Sequence, residues 1–213
     1  MTSTSETKLR ERIAEHGKAL FDRGLTFGTA GNISVRLDDG WLLTPTNSCL
    51  GRLDPARISK LTDDGEHIGG DRPSKEAFMH RAVYEERPVA KAVVHLHSTY
   101  SVAVSCIEDV DPTNVMPPLT PYYVMKIGRL PLAPYFRPGD PAIGDAIREH
   151  IADVPAVLLA NHGPVVSGKS LDDAMYASEE LEETAKLFLM LQSHRTRPLT
   201  AAQIDELHEH FPS

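Results

Sequence analysis

His95 and His97 stand two apart at the end of the apolar run Val93-Val94-His95-Leu96-His97-Ser98, and His162 closes a second run, Leu158-Leu159-Ala160-Asn161-His162-Gly163. Alternate residues of an extended strand point to one face, so His95 and His97 can reach one ion together. Three imidazoles with an open fourth position form the donor set of a catalytic divalent metal centre, and zinc is the first candidate. Ten histidines in 213 residues place some pairs close by chance, and an isolated His-x-His is a weak motif. The third histidine strengthens it. Both runs read as buried strands that end at the histidine and give way to small or turn-forming residues, where α/β folds display their chemistry.

The elements that must position these residues are legible in outline. Leu9, Ile13, Leu20 and Phe21 recur at near-helical spacing before Gly24, which predicts a helix from about Glu6 to Arg23. Asn32 to Leu37 alternates as a strand, Asp38-Asp39-Gly40 makes a hairpin turn, and Trp41 to Thr44 returns before Pro45. Asp54 to Arg57 reads as a helical turn, Thr62 to Gly65 as a second hairpin, and Lys75 to Glu85 as a helix with Phe78, Ala82 and Val83 inward. The strand Lys91 to His97 precedes a helix through Ile107 that Ser98 or Thr99 can cap. Ser170, with Asp173 three residues on, starts a long helix whose apolar face is Ala174, Ala177, Leu181, Ala185, Phe188 and Leu191. On it, Glu179, Glu180, Glu182 and Glu183 read as a solvated face, with Glu182 paired to Lys186. The remaining histidines, His80 among them, carry no functional expectation. The mixture is α/β with hairpins, not regular βαβ alternation.

With 213 residues, 41% of them hydrophobic, and no Pro/Gly/Ser linker, the chain is expected to form a single domain over residues 1–213. No apolar run approaches a membrane span and the N-terminus lacks a signal-peptide core, so a cytoplasmic location is expected. Cys49 and Cys106 belong to no Cys-x-x-Cys pair and read as reduced thiols. A net charge of −8 argues against nucleic-acid and anionic-membrane partners. Any anionic substrate must be held locally.

Three polar segments offer such a hold: Thr29-Ala30-Gly31-Asn32 at a strand start, Thr44-Pro45-Thr46-Asn47-Ser48 after the next strand, and Arg72-Pro73-Ser74-Lys75-Glu76 opening a helix. Their backbone N–H groups, hydroxyls, amides and one lysine can together cradle a phosphate. The chain has neither Gly-x-x-x-x-Gly-Lys-Ser/Thr nor Gly-x-Gly-x-x-Gly, so a nucleotide fold is not supported.

The order Gly-Asn, Thr-Pro-Thr, Ser-x-Glu, His-x-His and Asn-His-Gly before a long helix resembles the class II aldolase and adducin family, from about Leu9 to Leu191. The resemblance implies a three-layer α/β/α sandwich around a mostly antiparallel sheet, in homotetramers with active sites between neighbouring subunits. It implies zinc, or another divalent ion, on His95, His97 and His162, and Glu76 as an acid/base that also touches the metal. It implies that Gly31, Asn32, Thr46, Asn47, Ser74 and Lys75 hold a substrate phosphate, and that Tyr122 is a proton donor lent to an adjacent subunit.

Within the family, the strings Ser48 to Pro55, Pro73 to Glu76, Thr120 to Met125 and Pro134 to Asp140 are most similar to the 3-oxo-tetronate 4-phosphate decarboxylases of acid-sugar catabolism. Lys75 and Asn47 stand where the aldolases have serine and glycine. The implied reaction is loss of CO2 from a phosphorylated keto acid, 3-oxo-4-phosphotetronate, through a metal-stabilised enediolate, giving dihydroxyacetone phosphate. Arg137, in the loop Arg137-Pro138-Gly139, can bind or orient the substrate carboxylate. Two alternatives stay open: a sugar-phosphate aldolase or 4-epimerase using the same metal site, and a non-catalytic adducin-like interaction domain. The tail from His194 either caps a neighbouring site or packs as a short helix from Thr200.

Overall fold

The computed structural model describes residues 4–211. Eight strands form one sheet in the order β4-β3-β2-β1-β5-β8-β7-β6, where β1 is Asn32–Leu37, β2 Gly40–Leu43, β3 Ser59–Leu61, β4 His67–Gly69, β5 Ala92–His95, β6 Leu132–Ala133, β7 Ala156–Leu159 and β8 Gly163–Gly168. Every pairing is antiparallel except β6 with β7. The helices are α1 (Thr4–Asp22), α2 (Ala77–Glu86), α3 (Thr99–Ser105), α4 (Pro121–Lys126), α5 (Ala142–Ile151), α6 (Leu171–Met190) and α7 (Ala201–His210).

Helices cover both faces of the sheet, and the pleat sorts the strand residues between them. Val93, Val157 and Val165 pack with Met79, Val83 and Ile147 of α2 and α5. Ile33, Val35, Val94 and Leu96 pack with Ile13 and Leu20 of α1 and with the start of α6. A third apolar cluster joins Leu158 and Val166 to Tyr123 of α4 and Leu181 of α6. Because both faces are covered, β5 and β7 read as near-continuous apolar runs, while β1 alternates and its polar Asn32 and Ser34 are buried all the same. The layered α/β/α arrangement with a mostly antiparallel sheet is the architecture expected.

The hairpins 38–40 and 62–65 and the helical turn 55–57 form where expected, and Ser170 caps α6 by accepting from the Asp173 N–H. Thr200 caps α7 with Gln203 in a reciprocal capping box. Three local expectations are corrected. The strand holding the first histidine pair ends at His95, so Leu96 and His97 lie beyond its ladder. The helix expected from Lys75 begins at Ala77, with Glu76 as its N-cap residue. Glu182 is buried, 6% exposed, and Lys186 faces Glu183 instead.

Candidate active site

The four residues with metal-binding atoms meet at one end of the central strands. His95 is the last residue of β5, fully buried, and lies opposite Asn32 of β1 and Val165 of β8. His97 follows as the chain leaves the sheet for α3. His162 sits in the β7–β8 turn, where Asn161 adopts φ +55° and Gly163 φ +146°. Gly163 is required there: a Cβ would lie 2.3 Å from the Leu96 carbonyl oxygen, between the two ligand histidines. Glu76 enters from the start of α2. Among the described residues, one ligand atom from each of Glu76, His95, His97 and His162 falls within 4.8 Å of every other.

This donor set fits a divalent cation. His95 Nδ1 lies 2.9 Å from the Pro164 carbonyl oxygen, which can only accept, so Nδ1 carries the proton and Nε2 offers its lone pair to the cluster. That Nε2 stands 3.1 Å from His97 Nε2 and 3.7 Å from Glu76 Oε2, while His162 Nε2 is 3.5 Å from Glu76 Oε1. A shared cation between them would turn this crowding of donor atoms into coordination. Burial pushes the imidazoles of His95 and His97 below the ordinary histidine range, with the neighbouring His162 ring adding to it and the Glu76 charge opposing. Burial opposes ionisation of Glu76, but the hydrogen bond with His162, the adjacent His95 ring and the Asn32 amide together hold its carboxyl well below the usual range. Neutral imidazoles beside an ionised carboxylate are the protonation states that a metal requires.

The phosphate-binding expectations fall in two adjoining loops and one strand entry. Thr46 N–H donates to the Arg72 carbonyl at 2.9 Å, Ser74 N–H to the Thr44 carbonyl at 3.3 Å, and Pro45 bridges Pro73, so the 44–48 and 72–76 segments lie side by side. Asn47 sits at φ +57° with its side chain exposed, and Lys75 is exposed without an acidic partner among the described residues. Gly31 adopts φ +79° against the His95 carbonyl oxygen, which a Cβ would approach to 2.9 Å. Asn32 differs from the rest: it is 4% exposed, and its side-chain amide is engaged by Glu76 at 2.7 Å and by His80.

Two expected residues are not brought to this chain's own cluster. Tyr122 is 64% exposed on α4, lining a groove with Arg23, Tyr176 and Glu179. Arg137 is exposed in its loop and pairs with Asp140 at 3.4 Å.

Conversely, two groups behind the cluster carry no functional expectation from sequence, where Glu182 reads as part of a solvated face. Glu182 accepts hydrogen bonds from Ser98 Oγ (2.7 Å), Tyr100 N (2.8 Å), Ser101 N (2.9 Å) and Ser101 Oγ (2.7 Å). It therefore caps α3 in place of Ser98 and ties the segment just after His97 to α6. His80, fully buried on α2, lies between Ser34 and Asn32. Helical spacing offered a signal for both, since Glu182 follows Ala174 and Ser178 by eight and four residues and His80 precedes Val83 by three, on the buried faces of their helices.

Residues 11–189 match the model of the Class II Aldolase and Adducin N-terminal domain. The chain is 55% identical over 203 residues to a protein named 3-oxo-tetronate 4-phosphate decarboxylase from Escherichia coli O6:H1, covering 95% of this chain and 96% of that one. It is 33% identical over 192 residues to L-fuculose phosphate aldolase from Haemophilus influenzae, covering 89% and 86%. The crystal structure of YgbL, a putative aldolase/epimerase/decarboxylase from Escherichia coli, superposes with a TM-score of 0.94 at 51% identity, covering 96% of this chain and 99% of that chain. With a His/Glu cluster that could hold a metal at the end of a mostly antiparallel sheet and a family match over most of its length, the chain belongs to the class II aldolase and adducin family.

Proposed function

We propose that this protein decarboxylates 3-oxo-4-phosphotetronate to dihydroxyacetone phosphate and CO2, with zinc held by His95, His97 and His162 and touched by Glu76. The observation that carries this reading is the gap in similarity: 50–55% identity to five decarboxylases over nearly the whole chain, against 33–34% to the fuculose-phosphate aldolases. A non-catalytic role is disfavoured because all three histidines and Glu76 converge on one point.

When bound, the ion would supply Lewis-acid charge at the ketone and neighbouring hydroxyl oxygens of the keto acid. The residues do the rest. Gly31, Asn32, Thr46, Asn47, Ser74 and Lys75 form the phosphate end of the site, with Asn32 contributing through its position beside Glu76. Loss of the C1 carboxylate as CO2 moves its bonding pair toward the C3 ketone, leaving an enediolate that takes one proton at C2. Glu76, resting ionised, delivers a proton that it first takes up from solvent; Tyr122 of a neighbouring subunit is the other donor. Arg137 would bind or orient the departing carboxylate. Membership of the family supports a homotetramer with sites shared between neighbours, in which the exposed Tyr122 would serve an adjacent cluster. We place the enzyme in the cytoplasm, consistent with the lack of any helix, among the described residues, long and apolar enough to cross a membrane.

The aldolase reading uses the same enediolate and differs in its leaving group. Reaction in D2O separates them. The decarboxylase is expected to form dihydroxyacetone phosphate from the keto acid with one deuterium on the hydroxymethyl carbon. An aldolase would instead leave the keto acid intact and condense dihydroxyacetone phosphate with an aldehyde, which would overturn the proposal.

A further inference from the structure

Beneath Glu76 runs a continuous row of buried polar side chains. Tyr84 Oη lies 2.7 Å from Ser34 Oγ, Ser34 Oγ lies 2.7 Å from His80 Nδ1, His80 Nε2 contacts Asn32 Oδ1, and Asn32 Nδ2 donates to Glu76 Oε2 at 2.7 Å. Ser34 and His80 are fully buried, and Asn32 and Tyr84 are 4% and 5% exposed. The direction of every hydrogen bond follows from the chemistry of the groups. The Glu76 carboxylate only accepts, so Asn32 must turn its NH2 toward it and its oxygen toward His80. That oxygen only accepts, so His80 carries its proton on Nε2. Burial pushes the His80 imidazole down to about 4, against the Glu76 charge that raises it, so the ring is neutral at pH 7 and Nδ1 accepts. Ser34 then donates to the ring and accepts a hydrogen bond from the Tyr84 hydroxyl. All four donors point toward Glu76.

We infer that His80 is a positioning residue for Glu76: by donating to Asn32 it fixes which end of that amide meets the carboxylate, and so how Glu76 faces the three histidines. Were the amide reversed, two acceptor oxygens would stand where a 2.7 Å hydrogen bond now lies. The topology makes the arrangement rigid. His80 stands one helical turn from Glu76 at the start of α2, while Asn32 and Ser34 lie on the α2-facing side of β1, with Asn32 opposite His95. Burying four polar groups in an apolar layer is costly unless all are satisfied, and among the described residues this row ends on the Glu76 carboxylate. This inference rests on the proposed role of Glu76 as metal-touching acid/base.

The test compares zinc-loaded wild type with His80→Leu, which removes both hydrogen bonds, His80→Gln, which keeps an amide donor for Asn32, and Val83→Ala, a buried α2 change outside the row. Outer-layer partners of metal ligands are worth about 10–100-fold in affinity or activity. His80→Leu is therefore expected to lower kcat on 3-oxo-4-phosphotetronate about 10–100-fold with KM within about threefold. Zinc affinity, read by competition with a chromophoric chelator, should fall about tenfold. His80→Gln should recover most of both, and Val83→Ala should lower Tm with kcat within about twofold. Wild-type kcat and zinc affinity in folded His80→Leu would overturn the inference, as would losses that track Tm alike in all three variants. Should His80→Leu not fold, His80→Met carries the test: it fills the buried space and also removes both hydrogen bonds, so kcat must fall, and unchanged kcat refutes the role. Were the wild type inactive on this keto acid, the substrate reading fails while zinc affinity still decides the positioning role.

Discussion

Replacing Glu182 by alanine should damage the site through the helix that follows His97. The wild-type carboxylate is buried and accepts four hydrogen bonds, two from the backbone N–H groups of Tyr100 and Ser101 and two from the hydroxyls of Ser98 and Ser101. The hydroxyls can rotate to other acceptors, but the two N–H groups at the start of α3 cannot. Each buried donor left unmade costs about 1–3 kcal/mol, and loss of a cap about 1 kcal/mol. Leaving these two donors unmade therefore costs about 3 kcal/mol, or about 10 °C in Tm for a chain of this size. Glu182→Gln keeps one acceptor oxygen and nearly the same volume, so about 1–2 kcal/mol is expected. Urea unfolding in chelator, where bound metal does not contribute, reads the stability directly. Chelator competition reads the second effect, a weaker zinc site because His97 immediately precedes the freed segment. A loss below about 1 kcal/mol for Glu182→Ala, or equal losses for alanine and glutamine, would refute the reasoning.

Three further outcomes follow from the same geometry. His80 has a folded value of about 4 against about 6.5 unfolded, so the unfolded chain binds more protons between these limits and stability falls as pH drops from about 6.5 toward 4. Between pH 7 and 5 the metal-free wild type should lose about 2 kcal/mol more than His80→Gln in urea unfolding; equal losses contradict the buried neutral ring. Gly163→Ala should destabilise the fold by more than 3 kcal/mol, on the order of a major backbone disruption, and weaken zinc binding, because its Cβ meets the Leu96 carbonyl at 2.3 Å and φ is +146°. Thermal scans should show Tm rising with free zinc and returning on chelation, about 2.7 kcal/mol being gained at a hundredfold excess over Kd, and His97→Ala should abolish this response.

The elements around the site were legible because their signals are local: alternation in 32–37, the turns at 38–40 and 62–65, and the Ser170 cap all form as read. The three histidines were legible from spacing, although the expected mechanism was only half right, since His97 reaches the cluster from beyond the strand rather than from within it. The misreading of Glu182 has a physical reason. Four glutamates in five positions look like a solvated face, and the donors that bury one of them come from a helix some eighty residues earlier. His80 was equally hidden. Its partners lie on β1, whose polar alternation resembles an exposed strand edge until α2 is known to cover it. Tyr122 and Arg137 were named by resemblance, and in the single chain both are exposed and neither joins the histidine cluster.

The central claim is tested most directly by giving the zinc-loaded protein 3-oxo-4-phosphotetronate labelled with 13C at the carboxylate and following the label and products by NMR. The account predicts labelled CO2 and dihydroxyacetone phosphate in equal amounts, lost on chelation and in His97→Ala. Label retained in the unreacted acid, under conditions where dihydroxyacetone phosphate and an aldehyde condense, would contradict it.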